Sequence, residues 1–408
     1  MDFTLNAYYT LICAVIILLI GQYLVKKIRF LQDFNIPEPV VGGLLAAVGL
    51  FVLHATTGYV FNFHKDLQTA FMLVFFSSIG LSANFGKLKE GGKSLAVFIV
   101  IVSLFIFVQN GVGVGLATAL GLDPLIGLMA GSITLVGGHG TAAAWGQIFE
   151  QEHGIVGASG LGMACATFGV VMGSLIGGPL ARFLIVRHKL ATPGQSDMNT
   201  ALPINDQSPV LGFEAPGQER LITATNAVET LALFAGCLAF SDVMTTVAKG
   251  TAYELPTFVW ALLGGVIIRN FLEYVLRLDM FDRAIDVFGN AALSLFLAMA
   301  LLSLKLWELA GLATPLMIIL VAQTMIMALY AGTVTFYLMG RNYDAAVLAA
   351  GHCGFGMGAT SNALACMQAI TNRYGPSHKA FLIVPMAGAF FVDLVNAGVI
   401  QAFIKFMA

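Results

Sequence analysis

The chain has 408 residues, 58% of them hydrophobic and only 10% charged, with a net charge of −2. Soluble domains carry about a quarter charged residues, so this composition cannot wet a globular surface and makes lipid the main solvent. It excludes a nucleic-acid binder, because no basic run occurs, and a disulfide or zinc framework, because Cys13, Cys165, Cys237, Cys353 and Cys366 sit in apolar runs with no CxxC pair.

A spanning helix needs about 20 mostly apolar residues. In chain order such windows fall near 8–25, 39–57, 68–86, 95–120, 155–186, 224–247, 254–274, 284–306, 312–338 and 379–406. No Lys or Arg precedes Lys26, a poor match to a cleaved leader, so the first window is read as a retained span. Two more apolar segments, about 124–150 and 343–371, are broken by dense glycine and are read as re-entrant loops. The polar stretch 188–220 holds Pro193, Gly194, Pro203, Pro209 and Pro216, which reads as a cytoplasmic linker of low order. The expected division is a membrane repeat over 1–187, a linker over 188–223 and a second membrane repeat over 224–408.

Orientation follows the basic residues. With the N-terminus outside and both broken segments entering and leaving on one side, 16 of the 20 Lys and Arg fall inside; only Lys65, Lys249, Lys305 and Lys405 fall outside. The bias predicts ten crossings with both termini on the outer, periplasmic side.

The two sides of the linker echo each other. Pro37-Glu38-Pro39 opens the second span and Glu254-Leu255-Pro256 the seventh. GSITLVGGHGT at 131–141 is matched by AGHCGFGMGAT at 350–360, and each leads into an Ala-rich stretch with a Gln, at Gln147 and Gln368. An odd number of crossings per half inverts the second half. The expected fold is therefore an all-α polytopic membrane protein of about ten transmembrane helices in two inverted-topology five-helix repeats, each with a glycine-rich re-entrant loop. Secondary transporters use this plan, with the site near the midplane.

Non-helical backbone at membrane depth survives only where protein or a wet cavity satisfies it. A half-helix starting near Thr141 or Thr360 offers free N–H groups and a positive dipole end, which suits a carboxylate. Unwound carbonyls and neighbouring hydroxyls are hard oxygen ligands that suit Na⁺. The candidate substrate residues are Ser132, Thr134, Gly137, Gly138, His139, Gly140, Thr141, Gly354, Gly356, Gly358, Thr360 and Asn362. The alternative is a tight helix-packing seam, which glycine also serves. His139 and His352 are read either as proton carriers or as hydrogen-bonded structural residues.

Ionisable groups inside spans are functional candidates. Asp393 lies deep in the last span with Asn396 one turn on, and these two, with Ser361 and Gly351, are the Na⁺ candidates. Gln109, Asn110 and Gln323 occupy span centres and either face the site or join helices. Glu229, Asp242 and Asp286 lie nearer span ends. No basic residue sits clearly at mid-membrane, so a bound anion would be neutralised by helix ends and co-bound cations. No HExxH, GxSxG or pair of catalytic aspartates occurs, so an enzyme is not expected. The rivals are a channel and a transporter of another small carboxylate anion, coupled to Na⁺ or to protons.

Six strings resemble the bacterial sodium/glutamate symporters: IPEPVVGGLL at 36–45, GLDPLIGLMAGSITLVGGHGTAAAWG at 121–146, MACATFGVVMGSLIGGP at 163–179, LSLFLAMALLSLKLWELA at 293–310, NYDAAVLAAGHCGFGMGAT at 342–360 and GPSHKAFLIVPMAGAFFVDLVNA at 375–397. The likeness covers nearly the whole chain outside 188–220. It implies Na⁺-coupled symport of L-glutamate at the bacterial inner membrane, Na⁺ as coupling ion with no covalent cofactor, and a homodimer whose mobile core carries the two loops past a fixed scaffold. By motif position it assigns Gly137–Thr141 and Gly351–Thr360 to the translocation site. Where the resemblance leads one to expect Pro-Thr after the second Gly-Ala-Thr, this chain has Ser361-Asn362.

Overall fold

The computed structural model describes residues 2–33, 36–83, 85–193, 222–251, 254–277, 280–304 and 312–407, apart from the side chains of 86–91 and 389–390. Most of the expected linker, 194–221, lies outside the described residues. Among those described, seven helices are long and apolar enough to cross a membrane: Ala7–Lys27, Glu38–Thr57, Gly92–Ala119, Ala158–Arg187, Ala224–Ala248, Asp282–Leu302 and Ala313–Leu338. The chain is a multi-pass membrane protein. Three other expected spans are also helical but shorter or interrupted. Lys65–Leu81 has 17 residues and Thr257–Tyr274 has 18. His378–Met386 passes through a π-helical turn, Ala387–Phe391, into Val392–Met407.

Local chemistry sets the helix starts. The Asn6 side chain accepts from the Tyr9 N–H at 3.0 Å and Thr223 from the Asn226 N–H at 3.2 Å, each satisfying a donor the first turn leaves open. Pro39 stands in the first turn of Glu38–Thr57, where its missing N–H costs nothing. The outer faces are greasy: Ile12, Ile16 and Leu19 on one helix, and Val228, Leu231 and Val247 on another, are exposed, as hydrocarbon contact allows. One short parallel β-pair, Asp2–Thr4 with Val60–Asn62, is an addition to the expected all-helical plan.

The helices pack as two bundles. One holds Ala7–Lys27, Glu38–Thr57, Lys65–Leu81, Ala224–Ala248, Thr257–Tyr274 and Asp282–Leu302. The other holds Phe85–Ala119, Ala158–Arg187, Ala313–Leu338, His378–Met407 and two helical hairpins. Within the first bundle Lys65–Leu81 and Thr257–Tyr274 cross almost backbone to backbone. A Cβ on Gly80 would stand 2.0 Å from the Leu262 carbonyl oxygen, and one on Gly265 2.7 Å from that of Ser77. Their ends are tied by Arg269: buried within Thr257–Tyr274, it donates to the Leu81 carbonyl at 3.4 Å and is ion-paired to Glu273 at 3.0 Å and to Asp282.

In the second bundle Gly169, Gly173 and Gly177 form a stripe at four-residue spacing on Ala158–Arg187. Cβ atoms there would meet the carbonyls of Met357 (2.3 Å), Cys353 and Gly354 (3.2 Å), and Ala350 (2.9 Å). Small residues at this spacing let backbones approach in lipid, where packing replaces the hydrophobic effect as the driving force. The bundles meet where Asp282–Leu302 packs on Gly138–Gln151 and where Phe258 wedges between Phe76 (4.5 Å) and Trp145 (5.6 Å).

Candidate functional site

Each hairpin is two short helices separated by a break. The first runs Pro124–Ile133, then Gly138–Gln151; the second Tyr343–Gly356, then Thr360–Tyr374. The longest of these four limbs has 15 residues, about 22 Å of helix against a hydrocarbon core of about 30 Å.

The first hairpin starts where the Asp123 carboxylate accepts from the Leu125 N–H at 2.8 Å. It breaks at Gly131, whose φ −103° and ψ −134° are non-helical. The freed Ser132 peptide is held from two sides: its N–H donates to Asn110 Oδ1 at 3.0 Å, and its carbonyl accepts from Asn396 Nδ2 at 3.1 Å. Thr134 Oγ1 donates to the Met129 carbonyl at 2.7 Å. Gly138 then takes φ +66°, a left-handed turn that favours glycine, and the second limb begins with no side-chain cap.

The second hairpin starts with the Asn342 side chain accepting from the Ala345 N–H at 2.9 Å. Its second limb follows Ala359, which is extended and has no side chain able to cap. The first intrahelical bond is Ala363 N–H to the Ala359 carbonyl. The N–H groups of Thr360, Ser361 and Asn362 therefore point out of the helix end.

The two breaks meet at a cavity of about 470 Å³ between the bundles, a size suited to a small molecule. From the hairpins it is lined by Gly137, Gly138, His139, Gly140, Gly358, Ala359, Thr360 and Ser361; from the last helical run by Gly388 and Asp393; from the first bundle by Phe75, Asn290 and Ser294. Two uncapped helix N-termini thus face one space, each a partial positive charge with free donors. No Lys or Arg lines it. The Asp393 carboxylate opens into it without a hydrogen-bonded or ion-paired partner among the described residues. An unpaired carboxylate at this depth is costly unless a cation joins it.

His139 contributes a defined tautomer. Its Nε2 lies 3.1 Å from Thr167 Oγ1, and the Thr167 hydroxyl already donates to the Met163 carbonyl at 2.8 Å. Thr167 can then only accept, so His139 carries its proton on Nε2. Ser294 likewise donates to the Asn290 carbonyl at 2.9 Å, leaving its lone pairs open.

Other sequence candidates lie behind the cavity wall. Ser132, Thr134 and Asn396 join the break to its neighbours, as above. Asn362, which does not line the cavity, donates from Nδ2 to the carbonyl of Val170 in its wall at 2.8 Å. Thr141 packs beneath Gly137, Gly354 against Ala363, and Gly351 against Met367 and Val384. The Gly356 carbonyl accepts from Gln109 Nε2 at 3.2 Å, and Gln323 Nε2 reaches the Gln109 carbonyl at 2.7 Å, so these glutamines join helices. His352 is fully buried, bonded through Nδ1 to Thr335 Oγ1 at 2.8 Å, within a box of Phe98, Phe105, Tyr330 and Phe355 rings. Asn290 and Ser294 were not singled out from the sequence. Their signal was present: two polar residues four apart put both on one face of a helix that is apolar from Val287 onward apart from them.

Residues 3–376 match the sodium/glutamate symporter family. The chain belongs to that family. It is similar over 401 residues, at 52% identity, to the sodium/glutamate symporter of Haemophilus influenzae, with 98% of each chain covered. It is also 52% identical over 402 residues to those of Escherichia coli K12 and Shigella flexneri, again with 98% of each chain covered. Membership makes the chain a secondary transporter rather than an enzyme. A symporter must bind a solute and an ion together and expose both to each side in turn, and the cavity lies where two bundles meet.

Proposed function

We propose that this symporter carries L-glutamate into the cell with Na⁺ across a bacterial inner membrane, and that both bind in the cavity between the bundles. The observation that carries the reading is the convergence of two uncapped helix N-termini on a space holding one unpaired carboxylate, Asp393. A glutamate carboxylate fits the N–H groups of Thr360 and Ser361, and its second carboxylate those at Gly138–Gly140. Na⁺ fits beside Asp393, where the Gly388 carbonyl and Thr360 hydroxyl supply further hard oxygens. Glutamate alone would bring net negative charge to a low-dielectric site already holding Asp393. Na⁺ removes that repulsion, which makes binding of solute and ion mutually dependent. Each positive charge crossing with the field adds about 2.3 kcal/mol of drive per 100 mV.

Ser132, Thr134, Thr141, Gly351, Gly354, Gly356, Asn362 and Asn396 hold the hairpins in shape in this reading, and Gly137, Gly138, His139, Gly140, Gly358, Thr360 and Ser361 meet the solutes. The hairpins are re-entrant: no limb is long enough to cross. The chain makes ten crossings in two inverted repeats, with both termini periplasmic. The element order supports this, since each half runs three helices, a fourth, a hairpin and a last helical run. The first bundle is the fixed scaffold of a homodimer. The second moves against it as an elevator and carries most of the cavity lining past Phe75, Asn290 and Ser294.

The test is uptake of labelled L-glutamate by proteoliposomes under an inward Na⁺ gradient, repeated with K⁺ and with a proton gradient. Saturable uptake that needs Na⁺ is expected. Equal uptake without Na⁺, or none from folded protein, overturns the ion or the solute assignment and turns the search to other carboxylates and protons.

A further inference from the structure

A second pocket, of about 640 Å³, lies away from the cavity, between the end of Ala158–Arg187 and the end of Thr360–Tyr374. Its walls include Arg182, Arg187 and Arg373, with Phe183, Val186 and Tyr374. No Asp or Glu lines it, and the three guanidinium groups have no carboxylate partner among the described residues. The Arg373 guanidinium lies over the Tyr374 ring at 5.6 Å, which preserves its charge while orienting it. Three cations around one recess with no carboxylate partner among the described residues make a candidate anion site, and arginine matches phosphate oxygens with paired N–H donors.

The apolar wall identifies the source of the anion. Phe183 is 61% and Val186 64% exposed, beside Arg182 and Arg187 in the closing turns of a membrane-spanning helix. A free phosphate would leave these side chains uncovered, whereas acyl chains would cover them. Most basic residues of the chain fall on the inner side in the topology proposed above, and basic recesses between helices on that side bind anionic headgroups.

We infer that this recess binds an anionic glycerophospholipid, with preference for one carrying two phosphodiesters. The bound headgroup ties the far end of the second hairpin to Ala158–Arg187. Thr360 and Arg373 are opposite ends of one limb, so the lipid stabilises the element whose other end lines the cavity. The site does not depend on which solute is carried.

Native mass spectrometry of the purified full-length protein would compare retention of a two-phosphodiester lipid and a zwitterionic lipid of equal chain length. Thermal unfolding would be followed with each lipid and with inorganic phosphate alone. The wild type is expected to retain the anionic lipid selectively and to unfold at a higher temperature with it, with no shift from phosphate. The triple variant Arg182→Gln, Arg187→Gln, Arg373→Gln is expected to lose roughly tenfold or more in retention. Lys249→Gln, an exposed change elsewhere, is expected to lose nothing. The triple Arg→Lys variant, which keeps the charge, should fall between. Equal retention by wild type and the Gln variant overturns the proposal, and so does a phosphate shift matching that of the lipid, which would indicate a soluble-anion site.

Discussion

Gly138 and Gly358, at the breaks of the two hairpins, touch through backbone alone: a Cβ on Gly138 would stand 3.2 Å from the Gly358 carbonyl oxygen. Gly138 also holds φ +66°. The meeting of the hairpin tips therefore rests on a residue without a side chain. An alanine there costs about 1–2 kcal/mol in backbone conformation alone and pushes the tips apart. Gly138→Ala is expected to lower uptake about tenfold or more with near-normal folding. Gly115→Ala, at a helical site with nothing within 4 Å, should leave uptake unchanged. Parallel uptake and size-exclusion profiles check this.

The Ser132 peptide is held by Asn110 and Asn396 from different helices. Removing Asn110 leaves the buried Ser132 N–H without its acceptor, at about 1–3 kcal/mol, whereas without Asn396 the Ser132 carbonyl keeps the Val136 and Gly137 N–H groups as donors and the cost is smaller. Asn110→Ala and Asn396→Ala should each lower the unfolding temperature, and their effects should not add, because both act through one break. If Asn396 instead binds Na⁺, its variant would shift the Na⁺ dependence of uptake while leaving thermal stability intact.

The hairpins were legible because dense glycine beside hydroxyls in a 20-residue apolar window has few other uses. Seven of the ten expected spans were legible from hydropathy as helices long and apolar enough to cross. What a single sequence lacks is facing. Asn396 and Ser132 both read as polar groups at membrane depth, and nothing in their spacing says that they meet each other rather than a solute. The same gap hid Asn290 and Ser294, whose helix is apolar overall. Arg269 was counted with the inner-side basic residues although it falls within the 254–274 window, and its ion-pair partners Glu273 and Asp282 emerged only in the fold. The glycine stripe at 169, 173 and 177 was not singled out from the sequence, and its partner, the second hairpin, required the structure.

Asp393 is the carboxylate of the cavity. Asp393→Asn keeps the shape but removes the charge that a cation would match. The expected result is a rise of about tenfold or more in the Na⁺ concentration for half-maximal uptake, equivalent to about 1.4 kcal/mol, with thermal stability unchanged or higher, since an unpaired carboxylate is lost. Uptake measured against Na⁺ concentration reads this directly.

The two loop histidines should behave differently. His352 is sealed among aromatic rings and bonds only Thr335, so His352→Gln should change the apparent affinity for glutamate by no more than about fivefold, a cost near 1 kcal/mol. His139 lines the cavity, so His139→Gln should weaken that affinity more. Substrate titrations on both variants separate wall from support. A larger effect at His352 would revive the proton-relay reading.

The most direct test of the cavity between the bundles as the solute site uses Ser361→Cys, a position exposed within it. Labelling of this cysteine by a small thiol reagent would be timed with Na⁺ alone, L-glutamate alone, and both. Strong slowing only when both are present is the predicted result. A labelling rate indifferent to the pair, in protein that still takes up glutamate, would place the solutes elsewhere and contradict the account.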